Sequence, residues 1–295
     1  MRRSLTAFGA VLVLGLTACG ADQGPGGPED PEVSAPAPTE SAFAHAVSRV
    51  SPDALGKRPM IEFGQTAELF SLSESDDRWL SVTAMGNLLV VNKPWADSLG
   101  IDASAADYSI EVGVVPSRVG VIAGGQTPDT ITDAASQVGF TGDEVLSQDL
   151  TPAVPVTVSV QQIKPIEEDV VLATSDADVG WIDGGSLFAD EQVGPVAVCL
   201  GDVLAAQVAE LDGEVVGIGV RAEGTDILSV ICVPGGDDAI ANAEEDLAGP
   251  NFADRLELID SSVVDGLAKV TVQHAADESA VLLFSALQQL ELPGA

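Results

Sequence analysis

Apolar residues along this chain switch between two spacings, and each switch marks a predicted element. Residues 108–115 and 118–123 are dense in Val and Ile and flank Pro116 and Ser117, which predicts two strands joined by a turn. Thr127, Pro128 and Asp129 then supply a helix start: a cap, a proline at the first helical position and an acid in the first turn. Ile131, Ala134, Ala135 and Val138 follow at helical spacing, and Gly139 stops the helix. A short strand is predicted at 144–147. Val156, Val158 and Val160 alternate with Thr157, Ser159 and Gln161, the pattern of an antiparallel strand with one wet face. Residues 169–173 read as a further strand and 176–182 as a helical turn.

The later part of the chain repeats this order. Residues 196–211 carry two apolar stripes, one with Val196, Cys199 and Val203 and the other with Leu200, Leu204, Val208 and Leu211, so one amphipathic helix is predicted. Residues 214–220 and 226–233 form a predicted hairpin around Glu223 and Gly224. A helix at 237–247 places Ile240, Ala243 and Leu247 inward. Residues 255–259 alternate with Leu256 and Leu258 toward the core, and Ala268, Val270 and Val272 alternate again before a closing helix at 278–290. Before residue 106 the signal is weaker. A helix is predicted at 42–50 and a short strand at 60–63. The apolar runs 67–72 and 79–91 fit either helix or buried strand, and a short helix runs to Leu99 after a break at Pro94.

The segments VGVIAGGQTPDTITDAASQVGF and LSVICVPGGDDAIANAEEDLAG align without a gap, with Ile131 over Ile240 and Val138 over Leu247. The expected fold class is therefore α+β, in two related halves of order strand-strand-helix-strand-strand, with antiparallel sheets that lie side by side or join into one and helices packed on one face. The competing reading is that an unrelated α+β chain repeats this order by coincidence. The expected organisation is residues 1–18, a signal peptide; 19–40, a linker; 41–187, an N-terminal half; and 188–295, a C-terminal half.

Composition narrows the function classes. The 295 residues include 46 Asp+Glu against 12 Lys+Arg, a formal charge of −34. A nucleic-acid binder needs a basic footprint on phosphates, so no nucleic-acid partner is expected. With 46% hydrophobic residues the chain has the material for a core, but only 4% are aromatic, so Val, Ala, Leu and Ile must build it. The acids are spread rather than gathered into a tail, which favours solubility at the cost of self-repulsion.

The N-terminus reads MRRSLTAFGAVLVLGLTACG. Arg2 and Arg3 precede an apolar stretch at 5–16 that is too short to span a bilayer, the layout of a secretory signal. Residues 20–40, GADQGPGGPEDPEVSAPAPTE, are rich in Pro and Gly and lack hydrophobic periodicity, as a linker does. Beyond Cys19 stand Cys199 and Cys232. Cys199 lies on the helical stripe of Val196 and Val203, and Cys232 is in phase with Leu228 and Val230, so both can point into a core. A disulfide from Cys199 to Cys232 is expected in an exported protein. Two buried free thiols are the competing reading, and a metal pair lacks further soft ligands nearby.

Signatures of chemistry are scarce. His45 reads as a surface residue and His274 as a histidine at the edge of the core. No Gly-x-Ser-x-Gly elbow, Ser-x-x-Lys spacing or phosphate loop occurs, and Gly124 and Gly125 read as a turn into the Thr127 cap. Asp176, Asp178 and Asp183 lack the third acid and the closing Glu of a calcium loop. Asp76, Asp77, Asp237 and Asp238 read as helix-start acids. Trp79, Trp95 and Trp181 read as packing anchors, with Trp79 and Trp95 bordering a groove as the alternative.

Leu16-Thr17-Ala18-Cys19-Gly20 resembles a bacterial lipobox. That resemblance implies cleavage before Cys19 and a diacylglyceryl group on its thiol. It also implies a secreted protein held by lipid at the extracytoplasmic face of the bacterial membrane. The layout, together with GGSLFADEQVGPVAVCLGDVLAAQV at 184–208, resembles a diffuse group of actinobacterial lipoproteins, which supplies no catalytic residues to carry over. The expected function is a non-enzymatic binding or scaffold module of the cell envelope, with the membrane and an envelope protein as partners and no cofactor or metal. The alternatives are a solute- or metal-binding lipoprotein and an envelope hydrolase with a site assembled from distant residues.

Overall fold

The valine-rich runs become strands buried on both faces, and this governs the architecture. In the computed structural model, which describes residues 41–56, 59–87, 92–150, 153–289 and 291–295, the strands are β1 (Met60–Gly64), β2 (Tyr108–Val114), β3 (Ser117–Ala123), β4 (Leu146–Ser147), β5 (Gln162–Ile166), β6 (Asp169–Ala173), β7 (Ala205–Leu211), β8 (Glu214–Glu223), β9 (Asp226–Pro234), β10 (Leu256–Val264) and β11 (Leu267–His274). They form a single 11-stranded sheet in the order β10-β11-β9-β8-β7-β1-β2-β3-β6-β5-β4. Every pairing is antiparallel.

The expected fold class is overturned. The fold is mostly β-sheet, and no pair of separate α+β halves exists, because β1 pairs with β7 and carries the sheet through the centre without interruption. Nor do the helices keep to one face. On one side α1 (Ala42–Ser48) and α5 (Val193–Leu200) lay Phe43, Val47, Val196 and Leu200 over Ile61, Ile110, Val121 and Val230. On the other, α6 (Gly236–Leu247) and α7 (Leu282–Gln288) cover Ile218, Ile231 and Val270. On that same side α4 (Pro128–Gln137) covers Ile122, Ile163 and Leu172. Strands enclosed by helices on both faces lose the alternation that signals a half-wet sheet. Two further helices, α2 (Thr66–Ser75) and α3 (Lys93–Ser98), lie in the stretch where the pattern was weak.

Three elements depart from expectation for identifiable reasons. The predicted helix at 196–211 is α5 followed by β7. Gly201, at φ 66°, ends the helix in a conformation that other residues rarely adopt. Ala205–Leu211 is then drawn into the sheet between β1 and β8, where pairing on both sides overrides the helical propensity of Ala and Leu. The predicted strand at Val156, Val158 and Val160 is a 3-10 turn, Pro155–Val158. Val156 and Val160 share its buried side while Val158 is 58% exposed, which is turn spacing and not a strand face. The closing helix is shorter than predicted, Leu282–Gln288.

Cys199 on α5 is bonded to Cys232 on β9, with Cα atoms 6.1 Å apart. The helix approaches the sheet closely because β8 presents glycine beneath it. A Cβ at Gly217 would lie 2.4 Å from Val196 Cγ1, and one at Gly219 would lie 2.5 Å from Val203 Cγ1. Val196 and Val203 thus pack against the glycine positions of β8. Breaking the bridge leaves this packing in place. Cys199→Ala, Cys232→Ala and the double variant should each fold and lose a similar ~2–4 kcal/mol, read from thermal or denaturant unfolding. Clearly unequal losses would mean that the two sulfurs contribute separately.

Candidate functional site

The residues singled out for chemistry are scattered by the fold. His45 is exposed on α1 and meets the Tyr108 ring edge-on at 6.0 Å. Asp178 caps a 3-10 turn by accepting from the Gly180 amide at 2.7 Å, whereas Asp183 pairs with Arg49 at 2.9 Å. Asp76 accepts from the Arg78 amide, and Asp237 and Asp238 occupy the first turn of α6. Thr127 holds the N-cap position of α4 with extended backbone but makes no side-chain cap bond. Trp79 is buried; Trp95 and Trp181 are half-buried. Among the described residues no group of three or more His, Cys, Asp or Glu is placed to hold a metal ion. Cys19, the signal peptide and the linker lie outside the described residues.

His274 comes closest to a catalytic arrangement. Its Nε2 lies 2.8 Å from the Ser229 hydroxyl and its Nδ1 lies 3.1 Å from the Ser279 carbonyl oxygen. That carbonyl can only accept, so Nδ1 carries the proton and Nε2 accepts from Ser229. The Ser–His pair has hydrolase-like geometry but is sealed within the core beneath the turn leading into α7, where no acyl group can reach Ser229. Burial depresses the His274 pKa to about 4, because the imidazolium has no water around it.

A second polar group lies at the centre of the sheet and was missed from the sequence. Gln207 of β7, Glu62 of β1, Glu111 of β2 and Gly120 of β3 are consecutive cross-strand neighbours. Both carboxylates are buried. Arg118 lies 3.1 Å from Glu111 and 3.7 Å from Glu62, and the Gln207 amide donates to Glu62 at 3.3 Å. Gly120 leaves the room that Glu111 occupies: a Cβ there would lie 2.7 Å from Glu111 Cγ. One guanidinium serves two carboxylates, and burial raises the Glu62 pKa more than Arg118 lowers it. The available signal was a lone Glu amid apolar residues in MIEFG and again in SIEVG.

The accessible feature is the outer edge of β10, which among the described residues pairs with β11 alone. Its residues Leu258, Ile259 and Val263 are 37%, 48% and 45% exposed, so Leu258, expected toward the core, is partly open to solvent. A register shift between Leu258 and Asp260 leaves Asp260–Val264 as the longest regular run. Glu257 and Asp260 are exposed along it, as are Glu244 and Glu245 on α6, which packs against β10. The opposite edge is shorter. The two-residue β4 covers Gln162 and Ile163 of β5, and Thr141 bridges its free side by exchanging backbone hydrogen bonds with Ser147 at 3.0 and 2.8 Å. Compared with protein-family models, curated proteins and solved structures, the chain matches none.

Two pH effects follow. His274 is neutral in the fold down to about pH 4 but takes up a proton below about 6.5 when unfolded. Its contribution, about 3 kcal/mol, is therefore intact above pH 6.5 and is lost as the pH falls toward 4. His274→Gln should show a shallower fall in stability across that window, and an unchanged slope would contradict the assignment. For Glu62 the sign is reversed. Its raised pKa makes stability fall as pH rises through the folded value, so Glu62→Gln should melt higher than the parent at pH 8 and close to it near pH 4.

Proposed function

We propose that this chain is a lipid-anchored protein of the bacterial cell envelope, held at the extracytoplasmic face through Cys19, and that it works as a non-enzymatic binding module. The observation that carries the reading is the β10 edge. Among the described residues a nine-residue strand with three exposed large apolar side chains has no partner on its outer side. Such an edge is a template for a further strand; natural sheets blunt it by shortening, covering, bulging or charging it, and here one bulge still leaves five regular residues, Asp260–Val264. The Cys199–Cys232 disulfide supports an oxidising compartment, where structural bridges persist. The lipobox-like Leu16-Thr17-Ala18-Cys19-Gly20 supports the anchor.

A photo-reactive amino acid at Ile259, introduced into the full chain in intact cells, should yield discrete crosslinked protein adducts on irradiation. The same group at exposed Val158, far along the chain, should not. Absence of adducts from Ile259, or equal labelling from both positions, would overturn the binding reading. Cys19→Ala should release the protein from the membrane fraction, and persistence there would remove the anchor.

A further inference from the structure

We infer that the β10 edge accepts an extended, basic strand from another protein, and that its acids exclude a second copy of this chain. The inference rests on reading β10 as the interaction surface and adds the chemistry of the partner. A row of unpaired backbone groups on Asp260–Val264 recognises any extended chain with free amides. Side chains then decide which chain is accepted.

Val263 and Ile259 offer apolar contact, while Glu257 and Asp260 on the strand carry negative charge; Glu244 and Glu245 are exposed on α6, the helix that packs against β10. The cations nearby are few. Arg255 is bound to Glu278 at 2.6 Å, and Lys269 is half-buried on β11 opposite Ser262, where it feels both Asp260 and the half-buried Arg221 of β8. A charge on a sheet edge discourages pairing selectively, by sign, and lysine is the usual choice. Carboxylates at this edge reverse the selection. A second β10, from a chain of charge −34, brings its own Glu257 and Asp260 into the same field and is disfavoured. A strand alternating apolar residues with Lys or Arg gains both backbone pairing and charge complementarity. The chain's own residues 20–40 are a poor occupant: five prolines remove amides from the ladder, and the segment holds no Lys or Arg.

The test uses the full chain and capped, fluorescently labelled peptides of about six residues, the usual length of a strand. One alternates Lys with Val, one alternates Glu with Val, and the third is the Lys–Val peptide with alternate amides N-methylated. Fluorescence anisotropy should show binding of the first peptide, weakened by salt, and none of the second. The methylated peptide keeps its charge but loses one edge of hydrogen bonds, and should bind about tenfold more weakly or worse. Val263→Lys, at an exposed position that leaves the core intact, should also weaken binding by about tenfold.

Equal binding of the methylated peptide would reduce the effect to bulk charge and overturn the inference. Equal binding of the Glu–Val peptide would overturn the preference for basic strands. If Ile259 gives adducts in cells while the Lys–Val peptide does not bind, the surface stands and the partner chemistry is wrong. If neither occurs, both readings fall.

Discussion

The pairing of β1 with β7 holds the rest of the structure in place. Five residues of β1, Met60 to Gly64, run antiparallel between Ala209 and Ala205 on one side and β2 on the other. Gln65 fixes the end of that pairing, its backbone amide donating to the Leu204 carbonyl and its side chain to the Val203 carbonyl. Within this short contact Ile61 and Phe63 face the core beneath α1 and α5, and Glu62 faces Gln207 and Arg118. A slip of one residue would carry Glu62 in beneath Phe43, turn Ile61 and Phe63 to the opposite face, and leave Arg118 and Gln207 without their partner. Register is therefore specified on both faces at once. Buried polar groups here contribute little to net stability, but misplacing them is costly.

The same principle accounts for what could be read from the sequence. The β2–β3 and β8–β9 hairpins, α4 and α6 were legible because each carries its own punctuation: Pro116-Ser117, Glu223-Gly224, Thr127-Pro128 and the acids opening α6. The β7 segment was not, because AAQVAEL satisfies a helical stripe as readily as a fully enclosed strand, and Gly201 was the one mark of the change. Continuity of the sheet was illegible for the same reason, since it depends on β7 finding β1 across more than a hundred residues. The repeated order along the chain is compatible with two sheets or with one, and only that pairing decides between them.

The candidate site divides similarly. The cysteine pair was legible because both residues sit in phase with apolar neighbours, and a bridge needs only that both point inward. The cluster of Glu62, Glu111 and Arg118 was not, since a carboxylate in a strand ordinarily marks a solvent face. Recognising it as buried requires knowing that α2 and the 3-10 turn at Asp77–Val82 lie on that side of β1, where the periodicity was ambiguous. At β10, alternation placed Leu258 inward. At the end of a sheet, however, a residue has a neighbouring strand on one side alone, and even beneath a helix an inward-phased residue can still meet water.

The bridge between Thr141 and Ser147 has a consequence for assembly. A strand that joins a sheet normally offers a fresh edge of its own, so a sheet open at both ends can propagate in two directions. At the β4 end Ser147 is already bridged by Thr141, and Pro165 of β5 has no amide to donate, so among the described residues the longer free run lies at β10. An assembly built by edge pairing through this sheet would therefore grow more readily in one direction than in the other.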